Sequence, residues 1–428
     1  MIEPKFEAAV GMSRKWDARE AGREVAETAI QKLNRPPDFF LLFSTIHYEK
    51  HGGFQEFLNG VWDVLPEGTP LAGGTVAGFM NNYGCYARGA TALAVSYPNM
   101  DVAVGIGNHT KRNPKKAANS CSKIIKGKLK NTKYTNKILI NIISAPTIPE
   151  IPFLGRINVV KSQFWGWIAT HIITRLANFL GTGLAKEVDI VDSLASNLPN
   201  YKIMGGSAVD DGKMLINYQF VNNQVHTNSI VVLGCCIDRP LLLNGTIGLH
   251  RTGKSFEITD TALNGYIITK INNKSAKTEF FNLLDFPEEL IKELDLFYYK
   301  IVDYFPITFE ENEERIIGIG GIFGDNLVAS HRIDGKHAIL LTNTGKEILD
   351  NIQQLLQQYN NTSPFLLSFS SAIYPFILRR RTFDIKTLLD QKLEKTPYMM
   401  VFPMVENIRI ADETPSVRVY STNMLSLL

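Results

Sequence analysis

Two ten-residue stretches, PLAGGTVAGF at Pro70 to Phe79 and KIMGGSAVDD at Lys202 to Asp211, constrain this chain more than any other feature. In each, a short apolar run stops at Gly-Gly and a hydroxyl residue: Gly73, Gly74 and Thr75, then Gly205, Gly206 and Ser207. Glycine allows close approach and positive φ, so a strand ending this way is expected to expose backbone N–H groups. Such an end would form the floor of a site for a small polar ligand.

The similarity extends outwards from both stretches. A helical pattern (Asp17 to Leu33), an apolar run (Phe39 to Ser44) and an amphipathic segment (Phe54 to Val64) precede the first pair. Pro114 to Lys126, Ile138 to Ser144 and Val188 to Leu198 repeat that order before the second. A further apolar run follows each, Thr91 to Tyr97 and Ser229 to Cys235. The order predicts two related α/β halves, about 1–110 and 111–237, forming one domain, with 238–428 as a second.

Within the first half, Asp17 and Glu20 have the spacing of a capping box, and Ala18, Ala21, Val25, Ala29 and Leu33 share one face. FFLLFS reads as a buried strand, and Phe54, Phe57, Leu58, Val61 and Trp62 give the next helix an apolar side. A hairpin is expected across Asn81 to Gly84. The runs VAVGIG and LLLNGTIG end near His109 and at His250, a matched pair that suits ligand contacts or strand ends with local hydrogen bonds.

The halves differ in one place. Ser44 to Gly73 spans 29 residues and Ser144 to Gly205 spans 61, so about 32 have been inserted in the second copy, at about 149–181. Trp165, Ile168, Ile172, Leu176, Phe179 and Leu180 recur there at helical spacing, with His171, Thr174, Arg175 and Asn178 on the other side. That helix suits packing on its own domain, a lid over the Gly-Gly site, a dimer contact made by Trp165 and Trp167, or contact with an anionic membrane surface. Val102 to Lys186 carries fourteen Lys and Arg against one acid, Glu150, a net +13; the whole chain is +3, so the rest is −10. A solvated face accounts for such a charge run as well as a partner does.

Length and composition set the outer limits. A chain of 428 residues with 45% hydrophobic and 20% charged content is globular, with two to three domains. No leader pattern or long uncharged apolar run appears, and the four cysteines lack zinc or disulfide spacing. The expected location is the cytoplasm, without metal or cofactor. Nucleic acid is not an expected partner.

Past Asp238, strands are expected at Phe256 to Thr259 and Tyr266 to Lys270. Helices follow at Pro287 to Lys300 and Thr344 to Tyr359, then apolar runs at Phe365 to Phe369 and Tyr398 to Val405. GLHRTGKS at Gly248 to Ser255 satisfies the P-loop string, yet FEITDTALNGYIITKI follows it with alternation and an Asn264-Gly265 turn. A P-loop must open a helix, so this string is expected to be part of a hairpin. IIGIGGIFGDN at Ile316 to Asn326 fails the dinucleotide spacing because position 323 is Phe. Metalloprotease and nucleophile-elbow motifs are missing, and no enzyme is expected.

AGREVAETAI at Ala21 to Ile30, PLAGGTVAGF, and KIMGGSAVDD followed by YQFVNNQVHTNSIVVLGC resemble the FIST-domain family of sensory modules. FEITDTALNGYIITKINNKSA resembles that family's hairpin leading towards a helix. The resemblance spans nearly the whole chain and implies an N-terminal and a C-terminal FIST part, with non-enzymatic binding of small molecules such as amino acids, coupled to a signalling partner. Three departures stand out: Ser370 and Ser371 where the family has a Cys, Arg379 to Arg381 arriving late, and Val405 before Glu406, Asn407 and Ile408 in place of a Gly-Glu-Ile. These imply a C-terminal polar pocket, with Ser370 and Glu406, that is altered or lost.

The fold expected is therefore mixed α/β, two domains with helices on the outer faces of mixed sheets and two half-sheets packed face to face. The function expected is a cytoplasmic sensor of a small polar ligand. Gly73 to Thr75 and Gly205 to Ser207 would supply backbone donors and hydroxyls, Asp210 or Asp211 would hold an ammonium group, and His250 with Arg251 a carboxylate. Two alternatives are a docking module that uses the basic Trp-containing insertion, and a hydrolase that uses Ser207 or Ser370.

Overall fold

The computed structural model describes the chain except residues 1–4, 149, 152–154, 157–158, 288, 290–301, 303, 360–362 and 411–412. The fold is mixed α/β, with helices on the outer faces of mixed sheets. The helix expected at 287–300 lies almost wholly outside the described residues.

Phe39–Ser44 shows why the sheets lie deep. Phe39, Leu41 and Phe43 turn to one core, while Phe40 and Leu42 turn to another beneath the helices Ala18–Ile30 and Phe54–Trp62. A strand buried on both faces needs a continuous apolar run rather than alternation. Leu71–Thr75 lies parallel to it on one side and Ala90–Ser96 antiparallel on the other, with Glu7–Ser13 beyond. Asp17 caps the first helix, accepting from the Glu20 N–H at 2.9 Å.

A similar order of elements runs from Met100: strand Met100–Asn108, helix Pro114–Lys128, strand Asn136–Ser144, helix Glu187–Asn197, strands Lys202–Ala208 and Ser229–Ile237. It then recurs a third time, which the sequence patterns did not suggest. Leu241–Ile247, helix Lys346–Gln357, Leu366–Ser370, helix Thr382–Leu393, Tyr398–Val401 and Ser421–Leu427 follow that order with the same pairing.

The third set departs from the expected face-to-face pair of half-sheets. The inner faces of three six-stranded sheets meet in one core, where Phe39 and Leu41, Ile138 and Ile140, and Phe365 and Leu367 converge. A small apolar cavity there, about 20 Å³, is lined by Phe6, Met100, Leu425 and others. An apolar space of that size stays dry and holds no metabolite.

Each set sends its hairpin to a neighbouring sheet. Phe79–Asn81 and Gly84–Tyr86 extend the third sheet beside Tyr398–Val401, and Gln219–Val221 and Gln224–His226 extend the first beside Leu71–Thr75. Glu406–Arg409 and Ser416–Arg418 extend the second beside Lys202–Ala208. The exchange closes a ring, so the boundary expected at Asp238 falls between sets whose sheets share strands across it.

Two segments stand outside the ring. One, between Ser144 and Glu187, carries the short strand Val159–Val160 and the helix Gln163–Phe179, whose central turn Ala169–Ile173 is a π-turn. The other, between Ile247 and Lys346, forms a nine-stranded sheet with Val159–Val160 at one end. Its long strand His250–Ala262 contains most of the P-loop-like string. Gly253 has φ +83°, and Lys254 Nζ donates to the Leu283 carbonyl at 2.6 Å and pairs with Asp285. No helix follows to hold a phosphate.

Candidate functional site

Glycine at 73 and 74 and at 205 and 206 serves close packing. A Cβ on Gly73 would lie 1.7 Å from the Leu42 carbonyl oxygen, and one on Gly205 would lie 2.2 Å from that of Asn141. Both pairs sit inside their sheets, with Gln219–Val221 and Glu406–Arg409 covering what would otherwise be a free edge. The expectation of exposed backbone donors is therefore corrected: the incoming hairpins occupy that edge. Thr75 Oγ1 accepts from the Tyr218 N–H at 3.1 Å.

Ser207 is different. Its buried hydroxyl donates to Glu187 Oε1 at 2.9 Å. Glu187 opens the helix Glu187–Asn197, where the N-terminal dipole favours a carboxylate. Burial nevertheless raises its pKa to about 7, opposed by hydrogen bonds and by the cations Lys111 and Lys186. Lys111 Nζ donates to Thr147 Oγ1 at 2.7 Å, and burial lowers it to about 7 against the pull of Glu187. Lys186 Nζ lies 3.4 Å from the Tyr266 ring centre, and burial lowers it to about 8.

His331 reaches the cluster from the nine-stranded sheet, past the strand Asn326–Ala329. Its Nδ1 lies 4.0 Å from Glu187 Oε2, too far for a hydrogen bond. Burial, helped by Arg315, pushes His331 down to about 3, so the ring is neutral at pH 7. Glu187 Oε2 and both His331 nitrogens are buried with no protein hydrogen-bond partner. Native interiors leave few such atoms, and here three lie on two facing side chains.

The other expected residues lie elsewhere. Asp210 is buried and accepts from the N–H groups of Gly212, Met214 and Leu215, so it organises its own loop. Asp211 pairs with Lys213 at the surface. His250 pairs with Glu347 at 3.1 Å, and Arg251 with Glu313, both largely in solvent. His250 and Arg251 begin the strand His250–Ala262 of the nine-stranded sheet, whereas Ser207 lies in a six-stranded one.

Side chains alternate along the Lys202–Ala208 strand, so Ser207 faces outwards and Gly206 inwards with its partner Glu406. Glu406 accepts from Ser421 N–H at 3.2 Å and Ser421 Oγ at 3.0 Å, and burial pushes it well above the carboxylate range. Ser370 Oγ bonds Thr422 Oγ1 at 2.8 Å. Trp165 and Trp167 lie about half exposed on the outside. The sequence reading missed Glu187, His331, Lys111, Thr147 and Lys186. Lys186 ends the basic segment just before the helix that Glu187 opens, which is a faint signal; His331 has none.

Among the described residues no group of His, Cys, Asp and Glu could hold a metal ion, and no helix is long and apolar enough to cross a membrane. Residues 38–274 match the family described as the FIST N domain, and a FIST C domain was not detected. A comparison with curated proteins finds no match.

Proposed function

Because the chain belongs to the FIST family and carries its N domain, a sensory domain of signalling proteins, we propose that it senses a small polar metabolite of the amino-acid class at the Ser207–Glu187–His331 cluster. The observation that carries this reading is the trio of unpartnered buried atoms, Glu187 Oε2 and the two His331 nitrogens. An ammonium group satisfies Glu187. A carboxylate satisfies the N–H of neutral His331 and lies within the field of Lys111. On this reading Ser207 and Glu187 belong to the ring and His331 follows a strand of the nine-stranded sheet, so a guest among them would change how the two pack and pass the signal to a separate protein. Ser207 and Ser370 bond Glu187 and Thr422 rather than histidine, which favours binding over hydrolysis.

The test is thermal unfolding of the full chain against amino acids, small carboxylates and nucleotides. A ligand at 100 times its dissociation constant stabilises the native state by about 2.7 kcal/mol. The shift should vanish in Glu187→Gln and His331→Phe and persist in Arg251→Ala. No shift with any compound, or a shift unchanged in Glu187→Gln, overturns the reading.

A further inference from the structure

The helix Gln163–Phe179 is turned inside out. Gly166, Ala169, Thr170, Thr174 and Ala177 face the protein, while Phe164, Trp165, Trp167, Leu176, Phe179 and Leu180 are between 49% and 68% exposed. With Ile172 they make up seven of the thirteen exposed large apolar side chains among the described residues, so the exposure is concentrated here. A contiguous patch of this kind marks a contact surface. The sequence reading placed a comparable apolar face but left packing on its own domain open; the structure points it at solvent.

The orientation is held by specific contacts. A Cβ on Gly166 would lie 2.5 Å from the Gly324 nitrogen, so no larger side chain can face that way. Gln163 Nε2 donates to Asp325 at 2.8 Å and Asn326 Nδ2 to Thr170 Oγ1 at 3.2 Å. The π-turn is pinned by Thr174 Oγ1 donating to the Ala169 carbonyl at 2.7 Å, and such turns cluster at functional sites.

We propose that this helix docks the protein in the plane of an anionic lipid surface. Charge selects the occupant. No acid occurs from 151 to 186, within a segment of net +13. Arg175 is exposed on the helix, and the Arg112 guanidinium lies 4.0 Å over the Phe179 ring, joining the apolar face to the basic helix Pro114–Lys128. A second copy would bring two such segments face to face, whereas anionic headgroups neutralise them. Tryptophans flanked by cations suit the headgroup boundary, and an in-plane helix buries its apolar side about 5–10 Å deep there.

The test is co-sedimentation of the full chain with vesicles of phosphatidylcholine alone or with phosphatidylserine added, alongside light scattering without lipid. Pelleting with phosphatidylserine vesicles should be at least about tenfold stronger, weaken at high salt and be accompanied by blue-shifted tryptophan emission. Trp165→Ala with Trp167→Ala, and separately Arg175→Glu, should reduce it about tenfold while unfolding transitions stay unchanged; Phe383→Ala, at an exposed site elsewhere, should not. Equal binding to both vesicles, none to either, or a lipid-free dimer abolished by the paired tryptophan substitutions overturns the proposal. Ligand binding at Glu187 can fail without affecting any of these readouts.

Discussion

Asn141 and Asn407 exchange two hydrogen bonds, at 2.7 and 3.0 Å, across the bare backbone of Gly205. Gly205 pairs with Asn141 on one side and Asn407 on the other. Only a residue without a side chain lets two amides meet over the strand between them. Asn407→Ala should leave the buried Asn141 amide short of a partner and cost about 2 kcal/mol. A double-mutant cycle with Asn141→Ala should show coupling of about 1–3 kcal/mol in denaturant unfolding; additive effects would mean that the pair contributes nothing.

Gly73→Ala should be worse than either. Its Cβ would collide with backbone, which cannot swing aside, so a loss above about 3 kcal/mol or failure to accumulate folded protein is expected. Gly68→Ala, with open space around the Cβ but φ +83°, should cost only about 1 kcal/mol.

Glu187 makes stability depend on pH. Its folded pKa, about 7, lies above the ordinary glutamate value of 4.5, so the folded state binds the proton more tightly and stability falls as pH rises from 4.5 to 7. Glu187→Gln removes that loss. The variant should gain on wild type across this window, by roughly 3 kcal/mol in full, read as the difference between melting temperatures at pH 4.5 and 8. A constant difference would show that folding does not raise the pKa of Glu187.

His331 acts in the opposite sense. With a folded pKa of about 3 against 6.5, the unfolded chain binds the extra proton, so stability is full above pH 6.5 and is lost at about 1.4 kcal/mol per pH unit as pH falls towards 3. His331→Phe should remove this acid sensitivity. Because both ring nitrogens lack protein partners, it should also leave stability at pH 7 unchanged or higher while removing the ligand response.

Asp210→Ala should cost about 2–3 kcal/mol, because three backbone N–H groups lose their acceptor. Asp211→Ala should change the melting temperature little, since water screens an exposed pair. Equal effects would show that Asp210 does not anchor its loop.

Local periodicity carried much of the fold. Phe39 to Ser44, Phe54 to Trp62 and the Asp17 cap each satisfy a rule that operates within a few residues, and the first two sets were legible because their glycines repeat. The third set was not: Met400 and Val401 stand where the others have Gly-Gly, and the nine-stranded sheet separates Ile247 from Lys346. Of the site, only Ser207 was legible. Its neighbours Lys111, Glu187 and His331 are brought in by separate elements, and no spacing rule links residues that meet only through tertiary packing. His250 and Arg251 misled because a histidine and an arginine beside a strand suit a carboxylate on paper but have acidic partners of their own.

The exchange of hairpins also sets a timetable for folding on the ribosome. Lys202–Ala208 gains its outer neighbour only once Glu406–Arg409 has been made, about 200 residues and some 10–40 s later at ordinary elongation rates. During that interval the inner faces of the first two sheets have no third wall, and Ile138, Ile140 and Phe39 are open to any sticky surface nearby. The nascent chain is thus most vulnerable to chaperone capture or aggregation between completion of its matched domain and release of its final strand.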